Sequence, residues 1–122
     1  MKRTIVTLTA CLVGAGSASG APFVLNGQAA TGAEPYQKFC VACHGEKGDG
    51  NGPASVALNP KPRNFADAAG MATLTDEQLY TVVKNGGPAV GKSPLMAPWG
   101  AVLNDQQIRD VVAFVKQFAK KK

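Results

Sequence analysis

The stretch from Gly45 to Phe65 constrains this 122-residue chain more than any other. It carries Gly45, Gly48, Gly50, Gly52, Pro53, Pro60 and Pro62, which together rule out a continuous helix or a central strand. The one regular piece expected inside it is a short helical turn around Ala54 to Leu58. A structureless segment of this length is uncommon in a compact domain, and is generally functional or wrapped around something. A second loop, Pro88 to Leu103, holds Pro94, Met96, Pro98, Trp99 and Gly100.

Helical signals lie between these loops. A first helix is expected from about Ala33 to Cys43, with Pro35 tolerated in its first turn and Tyr36, Phe39 and Cys40 on one face. Thr75-Asp76-Glu77-Gln78 opens a second helix as a capping box, and Asn85-Gly86-Gly87 closes it. Asn104 and Gln107 cap a last helix whose Ile108, Val111, Val112, Val115 and Phe118 form an apolar stripe. No segment alternates as a strand does, and there are no repeats. The expectation is one all-α domain of three to four short helices.

The N-terminus reads as an export signal. Lys2 and Arg3 precede an apolar run from Ile5 to Ala15, and Ala18 and Gly20 suit a cleavage site before Ala21. The run is shorter than the roughly 20 residues a membrane span needs. Leu8-Thr9-Ala10-Cys11 has the look of a lipoprotein box, but the apolar run before Cys11 is very short and continues past it, so lipid anchoring ranks below cleavage. The expected organisation is therefore a signal over 1–20, a flexible lead-in over 21–31 and one domain over 32–122, placed in the periplasm. Cleavage would leave 11 basic against 8 acidic side chains, a formal +3, and Lys120, Lys121 and Lys122 account for all of that excess. Such a balance gives nucleic acid no electrostatic footprint.

Only Cys40 and Cys43 would remain after cleavage, and a bridge between them would close almost no chain. They belong instead to Cys40-Val41-Ala42-Cys43-His44, the C-x-x-C-H pattern of c-type haem attachment. Two intervening residues set the thiols about one helical turn apart, matching the two vinyl-bearing edges of a porphyrin, and His44 then faces the iron. A thioredoxin-like pair would call for a βαβ pattern that is missing here. A structural zinc would need four ligands where the mature chain has three of Cys or His type. His44 is the only histidine, so a second axial ligand from this chain is expected to be a methionine thioether. Met96, in its Pro-bounded loop, is preferred over Met71 beside Gly70, and either could instead be a gap-filling core residue.

With these motifs the chain resembles class I, mitochondrial-type cytochromes c. It is most similar to small bacterial single-haem c-type cytochromes and oxidase-associated cytochrome c domains. The resemblance runs from about Gly32 to Ala119 and implies a cytochrome c-like fold wrapped around one covalently bound haem c with its iron. It implies that Gly32 and Tyr36 pack the first helix against the last at Phe114 or Val115. It also implies that Pro53 offers its carbonyl to the second N–H of His44, and that Met96-Ala97-Pro98-Trp99 is a distal loop with one extra residue before the proline. Arg63, Asn64 and Trp99 are candidate haem-propionate partners, with solvent or core as the plainer reading, and Lys47, Lys84 and Lys92 are candidates for the exposed haem edge.

The function expected is one-electron transfer between redox proteins such as a membrane oxidase, reductase or dehydrogenase, with no small-molecule substrate. Association with a membrane complex, as a haem-bearing subunit or accessory module, is the alternative. A haem enzyme would need an open sixth position and distal acid–base groups, and no second histidine is present to act as one.

Overall fold

The computed structural model describes Gly14 and residues 20–120. The rest of the signal segment, including Lys2, Arg3 and Cys11, lies outside the described residues, as do Lys121 and Lys122. Five α-helices follow in order: α1 (Ala29–Phe39), α2 (Val41–His44), α3 (Ala68–Ala72), α4 (Asp76–Asn85) and α5 (Asp105–Phe118). Two 3₁₀ turns, Pro53–Ala57 and Gly87–Val90, punctuate the loops. No strand occurs among the described residues, and none of their helices is long and apolar enough to cross a membrane.

The two later helices start where their short-range signals put them. Thr75 accepts from the Gln78 backbone N–H at 3.1 Å while the Gln78 side chain accepts from the Thr75 N–H at 2.9 Å. Asn104 and Gln107 repeat the arrangement at 2.9 and 3.0 Å. On α5, Ile108, Val111, Val112, Val115 and Phe118 are all buried, each contributing about 1.5–3 kcal/mol of apolar burial.

The first helix differs from the expectation. It begins at Ala29, so Pro35 sits in its interior, and it breaks at Cys40 before α2. Contacts from α5 account for the earlier start. The buried carboxylate of Asp110 accepts from the Gln28 backbone N–H and from the Thr31 hydroxyl, both at 2.8 Å. It also accepts from the Gln106 side chain at 2.8 Å. An acidic group at a helix N-terminus satisfies orphan N–H donors and suits the helix dipole. Here that group comes from another helix.

The lead-in expected over 21–31 makes contacts with α5. The Arg109 guanidinium donates to the Val24 and Leu25 carbonyls at 2.6 and 3.0 Å, and lies over the Phe23 and Tyr80 rings. Phe23 itself packs on Tyr80 at 5.3 Å. One long side chain of α5 thus contacts the lead-in through its carbonyls and its single large aromatic.

Helices α1 and α5 cross closely because Gly32 lies at the crossing. A Cβ there would stand 2.0 Å from the Asp110 carbonyl oxygen and 2.9 Å from the Phe114 Cβ. Tyr36, fully buried, sits beside it with its ring 5.1 Å from Phe114 and 5.4 Å from Phe118. Its hydroxyl donates to the Gly45 carbonyl at 2.6 Å, which ties the crossing to the segment just after His44.

Candidate haem-binding site

The four-residue helix α2 carries Cys43 and His44, with Cys40 as its N-cap. Gly45 ends it at φ +82°, a conformation that side-chain-bearing residues avoid, and the chain turns away directly after His44. Neither cysteine is bridged to the other. Burial and the neighbouring Cys43 push the Cys40 thiol up to about 12. Burial also lowers the pKa of His44, against the opposing effect of a hydrogen bond to the Arg63 carbonyl. That favours the neutral imidazole, the form that binds metal.

His44 faces a cavity of about 610 Å³, within the roughly 300–1,000 Å³ typical of cofactor sites. Its walls are chiefly apolar and come from three directions. Leu58 and Phe65 belong to the first long loop, Leu79, Val82 and Val83 to α4, and Val112 and Val115 to α5. Met96 lines the same cavity from the second loop. Met71 does not: it is buried in the core on α3. A smaller space of about 60 Å³ adjoins, lined by Phe39, Cys40, Ala97 and Trp99, and it shares Cys43, His44, Leu95 and Met96 with the large one.

The Met96 loop is seated on the C-terminal end of α4. The Gly87 N–H donates to the Met96 carbonyl at 2.9 Å, the Trp99 N–H to the Val83 carbonyl at 2.9 Å, and the Gly100 N–H to the Lys84 carbonyl at 3.0 Å. The approach is close enough that a Cβ on Gly87 would stand 1.9 Å from the Ser93 carbonyl oxygen. In sequence, Gly86-Gly87 signals only a helix end; in the fold it is the platform for this loop.

Several expected contacts are redistributed. The carbonyl that meets the His44 Nδ1 is that of Arg63, at 3.3 Å, where the resemblance implied Pro53. Pro53 is exposed at the head of its 3₁₀ turn, while the chain from Pro60 to Phe65 runs along the cavity and brings its own carbonyl to the ring. Arg63 lines the cavity, together with Lys61 and Lys92. Asn64 does not; its side chain accepts from the Ala66 N–H at 2.9 Å. Trp99 lines the small space on the cysteine side and packs on Phe39 at 5.3 Å, so it does not join Arg63. Lys47 and Lys84 lie outside the lining, and Lys84 instead donates to the Tyr80 hydroxyl at 3.2 Å. Sequence reading also passed over Phe65, whose ring stacks on His44 at 4.4 Å and 15°.

This donor set suits a haem c. Two thiols and an imidazole lie on one short segment, a thioether enters from a separate loop, and the walls between are apolar. Lys61, Arg63 and Lys92 supply cations, and no carboxylate lines either space, as an edge bearing two carboxylates would require.

The comparisons with known proteins agree with this chemistry. A c-type cytochrome, KustC0563, has a solved structure that is 26% identical, with a TM-score of 0.59, over 71% of this chain and 95% of that one. A chain of the Kuenenia stuttgartiensis reducing HAO-like protein complex Kustc0457/Kustc0458 is 29% identical, with a TM-score of 0.60. That match covers 80% of this chain and 45% of the other, so this chain spans less than half of its length. No curated protein matches. The family described as cytochrome C oxidase, cbb3-type, subunit III matches residues 27–115. The chain belongs to that family and is a small c-type cytochrome, with the haem c and iron that membership implies.

Proposed function

We propose that this cytochrome is an exported one-electron carrier whose single haem is bound through Cys40 and Cys43 and ligated by His44 and Met96. The observation that carries this reading is the shared cavity: His44 and Met96 both line it, and Met71 does not. The haem, when bound, supplies the Fe(III)/Fe(II) couple. The residues of the chain do the rest. The Arg63 carbonyl accepts from the His44 Nδ1–H, which sets the tautomer and leaves Nε2 as the ligating atom. Leu79, Val82, Val83, Val112 and Val115 exclude water, and Lys61, Arg63 and Lys92 bring positive charge to the cavity lining. Because the Met96 loop is held by backbone hydrogen bonds to α4 and the turn after it, little needs to move when the charge changes.

Export rests on the Lys2-Arg3 start, the short apolar run and the small residues before Ala21. Cleavage there leaves the lead-in segment that Arg109 contacts on the mature protein, which then begins at Ala21. The partners are redox proteins. The alternative of a module within a larger complex draws support from the likeness to a chain of the HAO-like complex, of which this domain would be less than half. Native mass spectrometry after purification without detergent would show which form is isolated.

The decisive experiment replaces each methionine in turn. Met96→Ala should keep haem and helices, lose the weak red absorption of ferric iron–sulfur ligation and lower the potential. Met71→Ala should retain that absorption. The reverse result would move the distal ligand to Met71.

A further inference from the structure

The imidazole of His44 gains little restraint from its own short helix. It ends a helix of four residues, and Gly45 follows directly. The terminal torsion of a histidine is broad and roughly two-fold, so the plane of the ring is set by what it touches. A hydrogen bond and a ring stack both reach it from one short piece of the first loop. The Arg63 carbonyl lies 3.3 Å from Nδ1, and two residues on, the Phe65 ring lies face to face with the imidazole at 4.4 Å and 15°.

A single hydrogen bond fixes where one ring atom points and still allows the ring to tilt about that direction. A flat aromatic face removes the tilt, since rotating the imidazole would drive its edge into the Phe65 ring. Phe65 is itself held from two sides. Its backbone N–H donates to the Gly48 carbonyl at 2.6 Å, and its ring lies near-parallel, at 15°, to Phe118 of α5, with centroids 6.5 Å apart. Phe118 in turn packs on Tyr36 and Phe114. The column His44–Phe65–Phe118 thus runs from the cavity to the α1–α5 crossing.

We propose that Phe65 is a positioning residue that sets the plane of the His44 imidazole, and through it the ligand field at the iron. The proposal rests on His44 being the proximal ligand. Removing the flat face while keeping an apolar side chain of similar bulk, as in Phe65→Leu, frees the ring. The orientation of an axial imidazole governs the anisotropy of the low-spin ferric g-tensor and the spread of the haem-methyl resonances, so both report on the ring plane.

The test uses ferric holoprotein by EPR and proton NMR, for wild type, Phe65→Leu, Phe65→Tyr and Phe114→Leu. Phe114 belongs to the same aromatic core but packs on Tyr36 and Phe118, so its variant controls for general loosening. Phe65→Leu should shift and broaden the g-values and change the haem-methyl spread. Phe65→Tyr and Phe114→Leu should keep the wild-type pattern even where thermal stability falls. In ferrous wild-type protein, cross-relaxation between the His44 and Phe65 ring protons should be present, a measurement that stands even where the leucine variant does not accumulate. Wild-type g-values and methyl spread in Phe65→Leu, or no cross-relaxation between the two rings, would overturn the role of Phe65 alone. A wild-type ferric spectrum without low-spin histidine ligation would overturn the ligation reading and this proposal with it.

Discussion

Gly32→Ala sets two physical effects of opposite sign against each other. In an isolated helix, alanine is favoured over glycine by about 1 kcal/mol. At the α1–α5 crossing, however, the new Cβ would lie 2.0 Å from the Asp110 carbonyl oxygen, 2.4 Å from its carbonyl carbon and 2.9 Å from the Phe114 Cβ. Comfortable contact needs about 3.5 Å, so the helices would have to separate by roughly 1.5 Å. Two of the three obstructing atoms are backbone and cannot rotate away. Separation would also stretch the 2.8 Å hydrogen bonds from Gln28 and Thr31 to Asp110, and loosen the packing of Tyr36 on Phe114 and Phe118. Overpacking of a core by one carbon typically costs about 1–3 kcal/mol, and this site belongs at the upper end. After subtracting the propensity gain, the net loss should be about 2 kcal/mol. For a domain of this size that lowers Tm by roughly 10 °C. Guanidinium unfolding of the holoprotein, followed by far-UV circular dichroism, measures it directly. A variant as stable as wild type, or more stable, would refute the reasoning, because helix propensity would then outweigh the crossing.

Further outcomes follow from the same geometry. Gly87→Ala would put a Cβ 1.9 Å from the Ser93 carbonyl oxygen and push the Met96 loop off α4; carbon monoxide, expected to bind the ferrous wild type slowly and weakly, should bind this variant faster, and equal rates would contradict a seated loop. Burial alone would raise the Asp110 pKa, but hydrogen bonds from Gln28, Gln106 and Thr31 outweigh it and leave the carboxyl below its ordinary 3.8. The stability it provides is therefore complete above that value and lost as pH falls through the lower folded one, so Asp110→Asn should cost roughly 1–3 kcal/mol at neutral pH and flatten the acid limb of the unfolding curve; an unchanged acid limb would argue against the cap. Acid–acetone extraction should leave haem on the wild-type chain, and Cys40→Ser with Cys43→Ser should abolish that retention. Haem stripped from the wild type would end the claim of covalent attachment.

Short-range chemistry explains what could be read along the chain. Thr75 with Gln78, and Asn104 with Gln107, act across three residues, so α4 and α5 begin where the residue types say they must. The thiols and the imidazole of Cys40, Cys43 and His44 are bound together by adjacency, and the apolar stripe of α5 needs only helical periodicity to declare its buried face. The remaining features depend on groups that are far apart in sequence. Helix α1 starts at Ala29 because a carboxylate 82 residues beyond Gln28 accepts its N–H, and the lead-in is contacted by an arginine 85 residues after Val24. Which carbonyl meets His44 depends on the path of a Gly/Pro loop 19 residues later; the pattern of residues bounds that path without choosing between Pro53 and Arg63. Of Met71 and Met96, equal as sulfur donors, packing buries the first in the core and brings the second to the cavity. Local hydrogen bonds and periodicity are properties of neighbouring residues, whereas a cavity wall exists only after α2, α4, α5 and two loops have closed on one another.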